Sequence, residues 1–457
     1  MSIQYDSRKV LPGDTFVAMP GFKVDGADYI PQAIKNGAKI IVAERKVSVP
    51  DGVRLELVPS ARKALAHMAA KLYDFPSRKL QLIGITGTNG KTTTAYLIRS
   101  ILERAGHRVG LIGTIDNSLT TPESLELQAI FASMVAQGVT HVVMEVSSHA
   151  LAQDRVAYCD FDIAIFTNLT HDHLDYHHSF HEYLAAKKKL FERLKPEGLA
   201  IINVDDPASH FFLEVVRGEA ATYGVSQAKH EPRDTSHNEF DTRVGDVQIR
   251  ARDMVLKING QEIRTPLIGM FNVYNIVAAF QCALALHVPQ QVIKKGIESL
   301  KLVPGRVERI ECGQPFSVIV DFAHTPDALQ KLLETYRPIT KGKLILVFGC
   351  PGDRDKTKRP EMGKIADQLA DQVIVTTDDP HNEKPENIIK DIVAGFSNDK
   401  CFESIIDRKE AIEKALSMAK KDDTVLIAGR GHEKVQDFNG KKVPINDKEV
   451  VESYFTR

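Results

Sequence analysis

Short apolar runs that alternate with helical stretches constrain the fold of this 457-residue chain more than any other feature. The runs QLIGIT, THVVMEV, FDIAIFT and GLAIINV recur between residues 80 and 205. Continuous apolar runs of this length are typical of parallel strands that are covered on both faces. The same alternation returns after residue 303 in FSVIVDF, KLILVFG, DQVIVTT and DTVLIAG. The sequence therefore predicts an α/β protein with two successive, mostly parallel sheets.

A smaller α/β unit precedes these two sheets. The runs DTFVAM, AKIIVAE and VRLELV are separated by helical stretches, and the pair Asn36-Gly37 predicts the end of the first helix. The polar stretch 226–245 predicts a loop, followed by two short strands and a helical pair that ends near Leu300. Val303-Pro304-Gly305 then breaks the chain. We therefore predict three domains, over residues 1–78, 79–302 and 303–457.

Composition excludes several classes of protein. The 59 Lys and Arg balance 60 Asp and Glu, which argues against binding to nucleic acid or anionic lipid through excess positive charge. A hydrophobic content of 43% argues against disorder, and no apolar run approaches the ~20 residues that cross a bilayer. The N-terminus lacks the apolar core of a signal peptide, and the five cysteines form no CxxC pair. We expect a cytoplasmic monomer without membrane insertion, a disulfide framework or a thiolate zinc site.

The segment ITGTNGKTTT predicts a phosphate-binding loop between a strand at Leu82–Thr86 and a helix at Thr92–Glu103. Glycines let backbone N–H groups face phosphate, and the helix N-terminus adds partial positive charge. Lys91 can reach the β- and γ-phosphates, and the Thr92 hydroxyl can bind Mg²⁺. The alternative is an ordinary glycine-bearing turn, since the first glycine of the usual motif falls on Ile85. The candidate nucleotide-binding residues are Gly87, Thr88, Asn89, Gly90, Lys91, Thr92 and Thr93.

Acidic and histidine side chains follow the next two strands. Glu145 ends the run THVVMEV, and a carboxylate there suits Mg²⁺ or merely caps a loop. Five of the 16 histidines lie between His171 and His181, which suggests a second-metal or phosphate role or a polar loop. The segment HEYLAAKKKLF predicts an amphipathic helix with Tyr183, Leu184 and Phe191 buried. Its three consecutive lysines, including Lys187, are typical of a solvated face.

Taken together, eleven segments in this order resemble the Mur ligases, and most closely the MurE type, which adds the third amino acid to UDP-N-acetylmuramoyl dipeptides. They are DSRKVLPGDTFVAMPG, TGTNGKTTT, TTPESLELQ, MEVSSHAL, FTNLTHDHLDYH, YLAAKKKLF, GMFNVYN, PGRVE, DFAHTPDAL, FGCPGDRDKTKRP and AGRGHE. The resemblance implies a small N-terminal UDP-substrate domain, a central ATP-binding domain and a C-terminal Rossmann-like amino-acid domain. It also implies ATP-dependent ligation in peptidoglycan synthesis: ATP converts a carboxylate to an acyl phosphate, an amine attacks, and phosphate leaves. Such catalysis depends on positioning and charge neutralisation.

The resemblance assigns roles on the ATP side. Lys91 neutralises the γ-phosphate, Thr92 and Glu145 hold one Mg²⁺, and His173 and a carbamylated Lys187 serve a second. The other matched ATP-side residues are Asn272 and Asn275 at adenine, and Arg306, Asp321 and His324. Helix N-capping remains the alternative for the two asparagines, and Thr325-Pro326 is typical of a cap followed by proline.

On the acceptor side, the matched contacts to the UDP-muramoyl substrate are Thr120, Thr121, Ser147, Gln153 and Arg155, with Ser7 near uridine. Thr121-Pro122 is alternatively another helix cap. The link between Ile115 and Thr120 has four residues, fewer than is usual in the family. A relative that applies the same ATP chemistry to a different peptide or nucleotide-linked acceptor therefore stays open. The presence of Lys91, Glu145 and Lys187 argues against a nucleotide-binding regulator, and the DDPH and GRGHE elements argue against a simple NTPase.

The added amino acid is suggested by a departure from the family. Enzymes that use meso-diaminopimelate carry Asp-Asn-Pro-Arg, whose arginine binds the side-chain carboxylate, whereas this chain has Asp378-Asp379-Pro380-His381. Asp378, Asp379 and Glu433 could surround an ammonium instead, and His381 is otherwise loop or a partner of carboxylate when protonated. Arg354 and Gly429 match further amino-acid contacts, with Arg354 at the α-carboxylate. We expect L-lysine first and ornithine second.

Overall fold

The computed structural model describes residues 2–21, 24–115, 119–225, 242, 244–397 and 402–456. The N-terminal unit is a parallel four-stranded sheet in the order β1-β2-β3-β4. Helix α1 ends with Asn36 as its C-cap, as predicted. The elements of this unit are β1 (Ile3–Gln4), β2 (Thr15–Val17), α1 (Ile30–Lys35), β3 (Ile40–Ala43), β4 (Arg54–Leu57) and α2 (Ala61–Leu72).

The central unit is a six-stranded sheet in the order β10-β9-β8-β5-β7-β6, with every neighbouring pair parallel. Its elements are β5 (Gln81–Thr86), α3 (Lys91–Arg104), β6 (Val109–Ile112), α4 (Ser124–Ala136), β7 (His141–Glu145), α5 (Ser148–Ala152), β8 (Phe161–Phe166), α6 (Leu174–His177), α7 (Phe180–Lys188), β9 (Leu194–Asn203), α8 (Ser209–Leu213) and β10 (Glu219–Tyr223). Strands β7 and β6 lie on one side of β5, and β8, β9 and β10 lie on the other. The connections therefore leave β5 in opposite directions, and a crevice forms at the carboxyl end of this strand.

Alternate residues of β5 enter two separate cores. Ile83 and Ile85 pack in a cluster with Ile98 of α3, whereas Leu82 packs in a cluster with Phe131 of α4. The strand is therefore covered on both faces, which explains its nearly continuous apolar sequence. The predicted α/β class with a parallel central sheet is confirmed.

A small antiparallel sheet and two helices follow, as β11 (Val244–Ile249), β12 (Met254–Ile258), β13 (Gln261–Thr265), α9 (Met270–Ala285) and α10 (Gln290–Ser299). The prediction of two strands here was wrong, because the structure has three. Strand β11 carries Gly245 and Asp246 side by side, both exposed, so its sequence lacks an apolar alternation. Most of the predicted loop 226–245 lies outside the described residues.

The C-terminal unit is a six-stranded sheet in the order β14-β15-β19-β16-β17-β18, parallel except for the edge pair β14 and β15. Its elements are β14 (Glu308–Ile310), β15 (Ser317–Asp321), α11 (Pro326–Tyr336), β16 (Leu344–Phe348), α12 (Lys358–Leu369), β17 (Gln372–Val375), α13 (Pro385–Val393), β18 (Phe402–Ser404), α14 (Arg408–Met418), β19 (Thr424–Ala428), β20 (Val435–Phe438), β21 (Lys441–Pro444) and α15 (Asp447–Phe455). The domain boundaries after residues 78 and 302 stay predictions. No helix among the described residues is long and apolar enough to cross a membrane.

Candidate active site

The loop between β5 and α3 is held by backbone and amide contacts. The N–H of Thr88 donates to the Asn168 carbonyl and that of Asn89 to the Asn168 side chain, both at 2.9 Å. Gly90 has φ +90°, and a Cβ there would lie 2.3 Å from Asn275 Oδ1. Lys91 Nζ donates to the carbonyl oxygens of Gly87 and Thr88 at 2.9 and 2.8 Å. A glycine is thus required where the strand turns into the helix, as in a phosphate-binding loop.

Glu145 joins the loop to the neighbouring strand. Its Oε2 accepts a hydrogen bond from Thr92 Oγ1 at 2.9 Å, and its Oε1 accepts from the Thr114 N–H at 2.9 Å. Glu145 is 2% exposed and lies at the end of β7, as the sequence predicted. A hydroxyl and a carboxylate in contact form an oxygen donor set that suits a hard divalent cation.

A second polar group lies beside the loop. His173, with φ +57°, places Nε2 3.4 Å from Asp172 Oδ2. Burial lowers the pKa of His173 to about 3, although Asp172 opposes the shift, so the ring is neutral at neutral pH. Burial acts to raise the pKa of Asp172, but its interactions with His173, His324 and Lys358 outweigh burial and lower the pKa. A neutral imidazole beside a carboxylate can bind a metal. The motif around Asp172 was recognised, but this residue was not singled out from the sequence.

Lys187 is buried, so its interpretation as part of a solvated face was wrong. It is 1% exposed, its Nζ donates to the Gly87 carbonyl at 2.7 Å, and it lies 4.5 Å from the centre of the Tyr183 ring. Burial, together with the charge of Lys91, lowers the pKa of Lys187 well below the usual lysine value. Tyr183, Leu184 and Phe191 are buried as predicted, although Phe191 follows the end of α7.

Residues that follow Val303 lie on the other side of the phosphate-binding loop, facing Thr92. The Arg306 guanidinium lies 4.1 Å from the centre of the Phe322 ring, and its Nη2 is 3.4 Å from Thr92 Oγ1. Asp321 accepts from the backbone of Val307 and Ala323, and burial raises its pKa despite the charge of Arg306. Thr325 caps α11, as that alternative predicted.

Asn272 and Asn275 lie inside α9, whose N-cap is Gly269, so the capping interpretation was wrong for both. Asn272 Nδ2 donates to the Ile268 carbonyl, and Asn275 Nδ2 donates to Asn272 Oδ1 at 3.0 Å. Asn275 therefore lies against Gly90 of the phosphate-binding loop, and Asn272 holds it there from the start of α9.

Three carboxylates lie close together in the C-terminal unit. One oxygen each from Asp378, Asp379 and Glu433 lie within 4.8 Å of one another. Arg430 approaches all three, with its Nη1 2.7 Å from Asp379 Oδ1 and its Nη2 3.3 Å from Glu433 Oε2. Asp378 Oδ2 is buried and makes no hydrogen bond. Burial raises the pKa of Glu433 to about 7, with Asp378 and Asp379 adding to the shift and Arg430 opposing it.

One cavity of about 1310 Å³ brings these groups together. It extends from the phosphate-binding loop to the three carboxylates, and it also includes Arg354, His381 and Gly429. The predicted site residues that line it are Thr88, Asn89, Gly90, Lys91, Thr92, Thr93, Thr120, Glu145, Ser147, His173, Asn272, Asn275, Arg306, Asp321, His324, Arg354, Asp378, Asp379, His381, Gly429 and Glu433. Gly87 and Lys187 do not line it; Lys187 contacts the loop from the other side, through the Gly87 carbonyl.

The predicted acceptor residues are only partly collected at this cavity. Thr120 and Ser147 line it, whereas Arg155 lies behind them, paired with Glu123 at 2.8 Å and with Gln153. The cap interpretation of Thr121 was wrong, because Glu123 occupies the N-cap position of α4, without a side-chain capping bond, and Thr121 Oγ1 donates to the Glu145 carbonyl at 2.9 Å. Ser7 lies in the N-terminal unit, where its hydroxyl donates to Gln32 Oε1 at 2.9 Å.

A phosphate-binding loop that faces carboxylates across one cavity fits the class of enzymes that use a nucleotide to act on a second substrate. Comparison with known sequences agrees. Family models match residues 1–74 ("Mur ligase family, catalytic domain"), 85–283 ("Mur ligase middle domain") and 305–431 ("Mur ligase, glutamate ligase domain").

Relatives match over nearly the whole chain. The UDP-N-acetylmuramoyl-L-alanyl-D-glutamate–2,6-diaminopimelate ligases of Bacillus licheniformis and Caldanaerobacter subterraneus are each 44% identical over 98% of this chain and 93% of their own length. A solved structure of a ligase with the same name is 31% identical, has a TM-score of 0.67, and covers 100% of this chain and 94% of that one. The chain therefore belongs to the Mur ligase family, whose members are ATP-dependent amide-bond ligases.

Proposed function

We propose that this enzyme joins a diamino acid, L-lysine before ornithine, to the D-glutamyl carboxylate of UDP-N-acetylmuramoyl-L-Ala-D-Glu in peptidoglycan synthesis. The observation that carries the proposal is the single cavity that holds the phosphate-binding loop at one end and the three carboxylates at the other. A ligase of this kind needs both ends in one space, because an acyl phosphate formed at one must meet an amine held at the other.

Magnesium fits the first end. Thr92 and Glu145 would hold one ion through oxygen atoms, and His173 with Lys187 would serve a second. When bound, Mg²⁺ neutralises charge on the phosphate oxygens during transfer. Lys187 fits this role as a carbamate, since burial favours the neutral amine, which adds to CO₂ and loses a proton to give an anionic oxygen ligand.

The protein's own groups perform the remaining work. The loop N–H groups and Lys91 hold the phosphates, and Arg306 adds positive charge beside Thr92. After the D-glutamyl carboxylate takes the γ-phosphoryl group, the α-amine of the incoming amino acid attacks the acyl carbon, and the C–O bond to phosphate breaks. Arg354 is proposed to hold the α-carboxylate of that amino acid.

The three carboxylates favour lysine. They outnumber the one guanidinium of Arg430, and the buried Oδ2 of Asp378 makes no hydrogen bond, so an ammonium would satisfy it. Diaminopimelate would bring a further carboxylate toward this negative group. His381, which replaces the arginine of diaminopimelate enzymes, has its Nδ1 3.7 Å from Asp437 Oδ2. The curated relatives are nevertheless named for diaminopimelate, so the amino acids must be compared directly.

The test measures phosphate release and product mass with ATP, Mg²⁺ and UDP-N-acetylmuramoyl-L-Ala-D-Glu, with lysine, ornithine or meso-diaminopimelate added separately. We expect release with lysine, and none when either the dipeptide or the amino acid is omitted. Turnover with diaminopimelate alone would overturn the choice of lysine. If protein that binds ATP releases no phosphate with any of the three amino acids, the proposed acceptor, UDP-N-acetylmuramoyl-L-Ala-D-Glu, is wrong.

A further inference from the structure

Three arginines are the largest side chains that are less than 2% exposed in the described part of the chain, and all three lie in the C-terminal unit. They are Arg359, Arg408 and Arg430. Arg430 contacts the carboxylates directly, and Arg359 pairs with Glu383. Arg408 does not line the cavity, so the proposed reaction gives it no role.

Arg408 forms a fully buried ion pair with Asp447. Its Nε donates to Asp447 Oδ1 at 2.8 Å and its Nη2 to Oδ2 at 2.7 Å, and both side chains are 0% exposed. The pair connects the first residues of α14 and α15. Replacing a buried ion pair by apolar residues of similar volume is often neutral or stabilising, so stability alone does not explain this one.

The remaining donors of Arg408 reach two loops of the cavity. Nη2 also donates to the Ala428 carbonyl at 3.0 Å, and Nη1 donates to the Thr377 carbonyl at 3.4 Å. These carbonyls belong to the residues immediately before Gly429 and Asp378. Strands β17 and β19 are separated by β16, so no backbone ladder joins them directly. The guanidinium therefore links two loops that the hydrogen bonds of the sheet do not join directly.

The spacing of these two loops is tight. A Cβ on Gly429, which has φ +113°, would lie 2.5 Å from Asp378 Oδ2. The Gln436 side-chain amide also donates to the Asp378 carbonyl at 2.6 Å. A small shift of either loop would therefore change the distance between the Asp378 carboxylate and the backbone of the facing loop.

We propose that Arg408, oriented by Asp447, is a positioning residue that sets the spacing of the two amino-acid loops and thereby the affinity for the incoming diamino acid. This inference rests on the proposed function of those loops. It requires arginine, because the planar guanidinium has five donors in a fixed arrangement, whereas a lysine ammonium is a single point with three.

Two variants test the proposal. Arg408→Lys keeps the charge but loses the bridge to both carbonyls. The double variant Arg408→Met with Asp447→Leu removes the bridge and the buried charges together, so it should fold with a thermal midpoint near that of the wild type. For each we expect the KM for the amino acid to rise about tenfold or more, which corresponds to the loss of one or two hydrogen bonds to a charged group. The KM for ATP should change less than about twofold, since the phosphate-binding loop lies on the other sheet.

Leu416→Ala is the matched control. Leu416 is buried on the same helix α14 in the core of the C-terminal sheet, and its truncation should lower the thermal midpoint without raising the amino-acid KM. The proposal is overturned if both Arg408 variants keep the wild-type amino-acid KM, or if the KM for ATP rises in parallel. The assay uses whichever diamino acid the wild type turns over. A wild type that turns over none overturns the proposed function and this inference together, whereas an active wild type with unaffected variants overturns the inference alone.

Discussion

The two ends of the cavity are built in different ways. At the nucleotide end, the phosphate-binding loop is one continuous segment, residues 87–93, whose glycines and backbone groups lie against Asn168 and Asn275. The amino-acid end is assembled from separate loops that carry Arg354, Asp378 and Glu433. In the proposed function, backbone groups of the first end bind the phosphates, whereas side-chain charges of the second end select the amino acid. Changes at the first end should therefore abolish turnover, and changes at the second should alter affinity.

Lys91→Ala should give the largest loss, about 10³-fold in turnover, because it removes a positive charge from the transferring phosphoryl group. Phosphate release under saturating substrates measures it. The thermal midpoint serves as the control for folding. Retention of more than about a tenth of the wild-type activity would contradict the claim that changes at the nucleotide end abolish turnover.

Lys187→Ala should lower turnover about 100-fold if the residue supplies an oxygen ligand as a carbamate, comparable with the loss of a group that supports a metal. Added acetate should restore part of the activity by supplying a carboxylate. Lys188→Ala is the matched control, since Lys188 is the neighbouring lysine but is only half-buried. Equal activity of the two variants would contradict the assignment.

Asp378→Asn should raise the KM for lysine about tenfold, because it removes a carboxylate from the ammonium site. Initial rates at varied lysine give this KM, and the KM for ATP, measured with the same protein, should stay within about twofold. A parallel rise in both constants would show that the two ends are not separate.

The KM for lysine should also depend on pH. Burial and the neighbouring carboxylates raise the pKa of Glu433 to about 7, so this side chain is mostly neutral at pH 6 and mostly ionised at pH 8. We expect the lysine KM to fall several-fold as the pH rises between these values, because ionisation of Glu433 adds a negative charge to the proposed ammonium site. Glu433→Gln should flatten the profile; an unchanged slope in this variant would assign the dependence to another group.

Thr325→Ala should have the smallest effect and should act on stability. The Thr325 hydroxyl caps α11 by accepting from the Ala328 N–H at 3.3 Å, and the loss of such a cap costs about 1 kcal/mol. Denaturant unfolding measures the change in the free energy of unfolding. A large loss of activity at unchanged stability would instead place Thr325 in the reaction.

What the sequence could predict follows the same division. The strand before Gly87, the helix after it and the position of Glu145 were predictable, because each depends on a local pattern of apolar runs and glycines. The burial of Lys187 was not, since three consecutive lysines are chemically identical until tertiary packing places one of them behind the loop. The contacts of Arg408 were equally hidden, because they join residues 31 and 20 positions away.

The capping alternatives illustrate a second limit. Thr325 followed by proline is a cap in the structure, but Thr121 followed by proline is not, because Glu123 takes that position and the Thr121 hydroxyl bonds to the Glu145 carbonyl. The same dipeptide thus has two roles. The choice depends on a neighbouring strand that local sequence does not reveal.

The most direct test of the account is a competition for ligation. The enzyme is given ATP, Mg²⁺, UDP-N-acetylmuramoyl-L-Ala-D-Glu and equal concentrations of L-lysine and meso-diaminopimelate, and the products are resolved by mass. The account predicts that the lysine product predominates at least tenfold, because the carboxylates at Asp378, Asp379 and Glu433 favour an ammonium and disfavour a further carboxylate. A product made mainly from diaminopimelate would contradict it.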